Sequence, residues 1–139
     1  MSWVRVIIVL LFVAGGLWVF TPGSHQPVEV RQMQIGFLEA GELEWLPVIT
    51  DETDEAKQQV NEVMDLIDSA TPSSGIACFS EGPNIEIIIL NVNKNQYLVD
   101  GGIYLTEAGG IYEDRQGEEQ KQLSKDDIQY LTELYQNQK

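Results

Sequence analysis

Residues 85–92 read Ile85, Glu86, Ile87, Ile88, Ile89, Leu90, Asn91 and Val92, a run rich in β-branched side chains with only Glu86 polar before Asn91. β-Branched residues lose rotamer freedom in a helix and pack well on a pleated surface. A run too short for an ordinary helix and apolar on both faces reads as a buried strand. It marks the centre of a sheet, and the remaining elements fall into place on either side of it.

Downstream, Asn93, Lys94 and Asn95 turn the chain into a second strand over residues 96–99. Gly101 and Gly102 predict a bulge, after which residues 103–106 continue along the sheet edge. Gly109 and Gly110 read as the next turn, toward Ile111 and Tyr112. Paired glycines can cradle an anion, but phosphate loops lead from a strand into a helix and these lead into further strand. Residues 114–122 are rich in Gln and Glu without an apolar anchor, the composition of a mobile loop. Ser124 and Asp127 then make a capping box, flanked by Leu123 and Ile128 as a hydrophobic staple. A helix is expected from Lys125, with Ile128, Leu131, Leu134 and Tyr135 as its buried stripe.

Upstream, residues 76–81 read as a further strand. Within residues 51–70, Ala56, Val60, Val63, Met64 and Ile67 share one face at the helical period, with Leu66 and Ala70 at its edges. Asp51, Glu52, Asp54 and Glu55 fall in the expected first turn, where the helix dipole favours anions, and Pro72 with Gly75 closes the helix. The cluster lacks the alternating ligands and central glycine of a calcium loop, so no metal is assigned to it. Over residues 28–39, Met33, Ile35 and Phe37 alternate with Gln32, Gln34 and Gly36, the period of a half-buried strand. After a turn at residues 39–42, Leu43 and Trp45 continue the alternation until Pro47, which completes an opening hairpin. Strand, strand, helix, a group of strands and a final helix predict an α+β fold, an antiparallel sheet with two helices packed on one face.

Residues 6–20 contain no charged or strongly polar side chain, are bracketed by Trp3 and Trp18, and follow a lone Arg5. Fifteen residues reach about 22 Å as a helix against a hydrocarbon layer of about 30 Å. A membrane span through residues 4–21 therefore recruits Val4 and Thr21 and lets Arg5 snorkel to the interface; Pro22 and Gly23 end it. A cleaved signal peptide is the competing reading, with Ala14, Gly15 and Gly16 at the cleavage site. Cleavage there would leave Leu17, Trp18, Val19 and Phe20 exposed, which favours an uncleaved signal-anchor. No cysteine stands just after the run, as a lipoprotein signal requires, so a lipid-anchored form is set aside. The chain divides into an anchor or signal segment (1–22), a linker (23–27) holding His25, and an acidic α+β domain (28–139). With Arg5 before the run and no basic residue after it until Arg31, the N-terminus is expected inside and the domain extracytoplasmic, as a single-pass membrane protein or, after cleavage, a secreted one.

Eight Lys and Arg stand against twenty-two Asp and Glu, a net charge of −14 with every carboxylate at or beyond Glu29. That field repels nucleic acid and anionic headgroups; its first reading is a solvated surface that keeps the domain soluble, and its second a basic protein partner. Cys78 is the only cysteine, which rules out an intramolecular disulfide, and between Ala77 and Phe79 it reads as a small buried hydrophobe. A catalytic thiolate would need a neighbouring base, and no His lies beyond His25. There is no Gly-x-Ser-x-Gly elbow and no Cys and His cluster for zinc, leaving carboxylates as the only candidates for chemistry.

Taken in order, Pro83, Asn84, Ile85, Glu86 and Ile87, then Gly101, Gly102, Ile103 and Tyr104, then Leu123, Ser124, Lys125, Asp126 and Asp127 resemble small exported or membrane-anchored bacterial domains of unknown function. The resemblance implies a bacterial cell-membrane setting and transfers no catalytic residue, cofactor or metal. The expected function is a membrane-tethered, non-enzymatic interaction domain: an accessory subunit of a membrane complex, or an inhibitor- or immunity-like protein. A ligand or peptide sensor, accepting an extended strand near Gly101 and Gly102, and a carboxylate-dependent hydrolase are the alternatives. Trp45, Tyr97, Tyr104 and Tyr112 are the candidate interaction residues, because aromatics dominate binding hot spots; core packing is their competing fate.

Overall fold

The sheet is antiparallel throughout and built around the Ile-rich strand. A computed structural model describes residues 29–73 and 77–139; the anchor or signal expectation lies outside the described residues. Its elements are β1 (Arg31–Glu39), β2 (Glu42–Trp45), β3 (Ile49–Thr50), α1 (Asp54–Asp68), β4 (Thr71–Pro72), β5 (Ile85–Asn91), β6 (Gln96–Thr106), β7 (Gly109–Asp114), β8 (Gln120–Ser124) and α2 (Lys125–Gln138). The strands run in the order β2, β1, β5, β6, β7, β8, β4, with β3 beside β2 on the outer edge of β1.

Cross-strand partners point to the same side of a sheet, so the register sorts every strand residue onto one of two faces. On one face Met33, Ile35 and Phe37 stand opposite Ile89, Ile87 and Ile85, which in turn face Val99, Gly101 and Ile103. In β5 the odd positions are buried and the even ones only partly so. Val60, Val63 and Ile67 of α1 and Leu131, Leu134 and Tyr135 of α2 join that buried layer in one core. The Phe37 and Tyr135 rings meet with centroids 4.3 Å apart, and Tyr130 of α2 donates to Glu62 of α1 at 2.5 Å. Both helices thus lie against the same face and against each other.

Local chemistry accounts for the elements that the sequence anticipates. The β1–β2 turn consists of Ala40 (φ 50°) and Gly41 (φ 86°), two left-handed residues whose twist matches the flanking strands. In α2 the capping box is complete: Ser124 Oγ accepts from Asp127 N–H at 3.1 Å, and Asp127 Oδ2 accepts from Ser124 N–H at 3.0 Å.

Several expectations are corrected. The segment 77–81 is not a strand, and Cys78 is exposed rather than buried. The Gln120 side chain both donates to Ala77 O and accepts from Ala77 N–H, each at 2.9 Å, while Phe79 stacks on Tyr104 at 3.7 Å. The segment therefore lies across the sheet, with its backbone held by a side chain instead of a ladder. The register shift falls at Leu98, an extra residue between Tyr97 and Val99 opposite Leu90 and Ile89, and not at Gly101 and Gly102. Those glycines make room: a Cβ on Gly101 would run into Glu113 O and the Tyr112 ring, and one on Gly102 would lie 2.6 Å from Pro83 Cβ.

The β6–β7 turn is formed by residues 107–108, with Gly109 and Gly110 already in β7. Gly109 (φ 141°) lies so close to Leu123 O that no side chain fits. The expected loop over 114–122 is shorter, because Gln120–Ser124 pairs with β7. Its turn is fastened by Asp114 Oδ1, which accepts from the N–H groups of Glu118 and Glu119 at 2.8 and 2.9 Å. Finally, α1 starts at Asp54 behind a Thr53 cap that accepts from Ala56 N–H at 3.1 Å. Asp51 is buried outside the helix and bound to Arg31. Past the helix, Thr71 and Pro72 form the short edge strand β4 against β8.

Candidate interaction surface

Among the described residues, no helix lies on the second face of the sheet. Following the register, it presents Leu43 and Trp45 from β2, Gln32, Gln34, Gly36 and Leu38 from β1, Glu86, Ile88 and Leu90 from β5, and Tyr97, Asp100, Gly102 and Tyr104 from β6. Its part nearest β8 is covered by the crossing segment, through Phe79 on Tyr104 and Pro83 on Gly102. The part over β2, β1, β5 and the first residues of β6 is left open by the described residues. Leu38, Trp45 and Tyr97 there are 42%, 45% and 62% exposed, far more than large apolar groups at a packed surface would be.

The four aromatic candidates separate into different roles. Trp45 lies flat over Gly36, whose missing side chain is what lets the indole rest on the sheet. Tyr97 stands opposite Leu90 beside the Leu98 bulge, at the other end of the open face. Four residues along the strands and three strands across put the two roughly 20 Å apart. Tyr104 is half-buried under Phe79; burial pushes its hydroxyl pKa up, and the Glu113 and Glu86 carboxylates add to the shift. Tyr112 belongs to the core, only 4% exposed, with its hydroxyl pushed up to about 12 chiefly by burial. It is therefore removed from the interaction set. Leu38, which alternation within β1 could have flagged as outward-facing, is added to it.

Between the open part and the covered part lies a shallow cavity of about 170 Å³ lined by Pro83, Glu86, Gly102, Tyr104, Glu113 and Arg115 among others. Glu86, Gly102 and Glu113 form one cross-strand row, so the carboxylate-bearing backbones are two strand spacings, or about 10 Å, apart. Glu113 Oε2 accepts from Gln120 Nε2 at 2.5 Å, and Arg115 Nε donates to Asp100 Oδ1 at 2.7 Å. Each of these contacts ties a cavity side chain into the scaffold. Arg115 lines the same cavity as the two carboxylates, and the row brings no nucleophile and base together.

Among the described residues no three His, Cys, Asp or Glu side chains converge as a metal site. Among the same residues no helix is long and apolar enough to cross a membrane. No family model, curated protein sequence or solved structure matches the chain.

Proposed function

We propose that this protein is a membrane-tethered, non-enzymatic extracytoplasmic interaction domain that binds a basic protein partner through the helix-free face of its sheet. The observation that carries the reading is the open face itself: Leu38, Trp45 and Tyr97 exposed on a rigid sheet, with Leu43, Ile88 and Leu90 between them. Exposed apolar and aromatic side chains interspersed with Gln32, Gln34, Glu86 and Asp100 on one uncovered sheet face make a mixed surface of the kind that protein partners bind. A net charge of −14 favours encounter with a cationic partner, and a tether keeps its local concentration high.

Affinity capture of the full-length protein from detergent-solubilised membranes, compared between the parent and a Leu38→Ala/Trp45→Ala variant that leaves the β5–β6 tip intact, tests this. A stoichiometric basic partner that the variant recovers at least tenfold less well, at unchanged melting temperature, supports the reading. A parent protein that purifies alone, or a variant that retains its partner, overturns it. A second reading, a sensor of a small ligand, draws on the Glu86 and Glu113 cavity; Glu86→Gln/Glu113→Gln would then abolish ligand binding while leaving partner capture intact.

A further inference from the structure

We propose that the tip of the β5–β6 hairpin is a lipid-contacting surface, resting in the headgroup layer of the bilayer to which the chain is tethered. The inference rests on the membrane-anchor reading of residues 4–21 and adds to it the orientation of the domain.

Three observations converge on the tip. The first is where the described chain begins. Val30 N–H donates to Asn93 Oδ1 at 3.1 Å, Val92 N–H donates to Val30 O at 2.9 Å, and Lys94 Nζ pairs with Glu29 Oε1 at 2.9 Å. The chain leading from the apolar run is thus stitched to the β5–β6 turn. From Thr21 to Glu29 is eight residue steps, a reach of about 28 Å even when fully extended. The sheet, seven strands across, is itself about 29 Å wide. A tether no longer than the domain biases the tip toward the bilayer.

The second is shape. β6 begins at Gln96, but β7 ends opposite Gly101, so the hairpin projects beyond the end of β7, flanked there only by Arg115, Gln116 and Glu119 of the β7–β8 turn among the described residues. On this projection Val92, Tyr97 and Leu98 are 43%, 62% and 36% exposed, and the bulge at Leu98 leaves both Tyr97 and Leu98 at the surface. Tyrosine with flanking aliphatic side chains and a lysine is the composition that partitions into the interfacial region of a bilayer.

The third is charge. In a chain with twenty-two carboxylates, residues 87–99 contain none, and Lys94 is their only charged side chain. Of the carboxylates that border the tip, Glu29 pairs with Lys94, Asp100 with Arg115 at 2.7 Å and Glu119 with Lys121 at 3.2 Å, while Asp114 accepts from the N–H groups of Glu118 and Glu119. Glu52, just before the Thr53 cap, and Asp54 and Glu55 in the first turn of α1 follow β3, which pairs with β1 and is separated from β6 by β1 and β5. The tip is consequently the part of this end that approaches headgroups without strong repulsion, and phosphatidylcholine suits it better than anionic lipid.

The test uses the full-length protein with Cys78→Ser, reconstituted in phosphatidylcholine vesicles containing headgroup-nitroxide lipid. A single fluorescent label is placed either at Leu98→Cys, on the tip, or at Glu42→Cys, exposed at the opposite end of the sheet. Alkaline carbonate extraction is done first. Protein stripped by carbonate overturns the anchor reading itself. If the protein stays with the vesicles, at least threefold stronger quenching at position 98 than at position 42 is expected. A further Tyr97→Asp/Val92→Asp exchange should remove most of that difference. Retention with equal quenching at both positions overturns the proposed orientation and leaves the anchor standing.

Discussion

Arg31 Nε lies 2.7 Å from Asp51 Oδ2, and the same carboxylate accepts from Arg31 N–H through Oδ1 at 2.9 Å. Asp51 N–H in turn donates to Arg31 O at 3.0 Å. Three contacts between the first residue of β1 and the approach to α1 close a ring across twenty residues, with the Asp51 side chain 1% exposed. Arg31 also reaches Met64 Sδ on α1.

Truncating Asp51 would leave the Arg31 guanidinium beside the core without its counter-charge. Losing one partner of a largely buried pair costs about 3 kcal/mol, because the desolvated charge remains. Asp51→Ala is expected to lose about that much in urea unfolding, and Asp51→Asn, which keeps an acceptor for the Arg31 N–H, distinctly less. Equal losses for the two variants would show that the lost charge accounts for the whole effect and the retained acceptor for none of it.

Gly101 and Gly102 are neighbours with unequal surroundings. A Cβ at 101 meets Glu113 O and the Tyr112 ring within the sheet, whereas one at 102 meets Pro83, which belongs to a crossing segment outside it. Overpacking a core costs about 1–3 kcal/mol when neighbours can shift. Gly102→Ala should fall at the low end of that range by lifting the segment. Gly101→Ala should exceed its upper end, since neither a ladder carbonyl nor a core ring can give way. Thermal melts of the two variants that coincide, or reverse in order, would contradict this.

Ser124 supplies the acceptor that satisfies Asp127 N–H at the start of α2. Ser124→Ala orphans that donor and should lower stability by about 1 kcal/mol, with Ser124→Asp largely restoring it. A Ser124→Ala protein that melts with the parent refutes the cap's contribution.

Stability should fall at both ends of the pH scale. Hydrogen bonds from Lys94, Lys139 and Tyr130 hold Glu29, Glu39 and Glu62 below the ordinary carboxylate value of 4.5. A lowered folded-state pKa gives stability that is present above the unfolded value and lost as pH falls below it. Acid destabilisation should therefore develop below about pH 4.5, and Glu62→Gln should weaken its slope. Tyr112 is shifted the other way, from 10 to about 12, so its contribution is complete below pH 10 and lost between pH 10 and about 12. Urea unfolding across both ranges checks the two signs, and a Tyr112→Phe protein should show a weaker alkaline limb, not lose it, because burial also raises Tyr104, Tyr130 and Tyr135.

The elements that rest on local chemistry were legible in the sequence. The alternation of Met33, Ile35 and Phe37, the Ile85–Asn91 strand, the apolar stripe of α1 and the Ser124 capping box are each set by residues a few positions apart, so their spacing alone encodes them. The α+β class follows from their order. Only the tertiary structure decided what depends on partners distant in the chain. Ala77 and Phe79 have the composition of a strand, yet Gln120 and Tyr104 draw the segment across the sheet and leave Cys78 outside. The glycines of β6 look like a bulge, yet they are spaces for Tyr112 and Pro83. Residues 120–124 are polar enough for a loop, yet β7 recruits them because an open edge beside it would leave its backbone donors and acceptors unpaired. The same distinction governs the candidate surface. That Trp45, Tyr97, Tyr104 and Tyr112 are aromatic is sequence; that the first two are exposed, the third covered and the fourth buried was settled by which strand, crossing segment or helix lies over each ring.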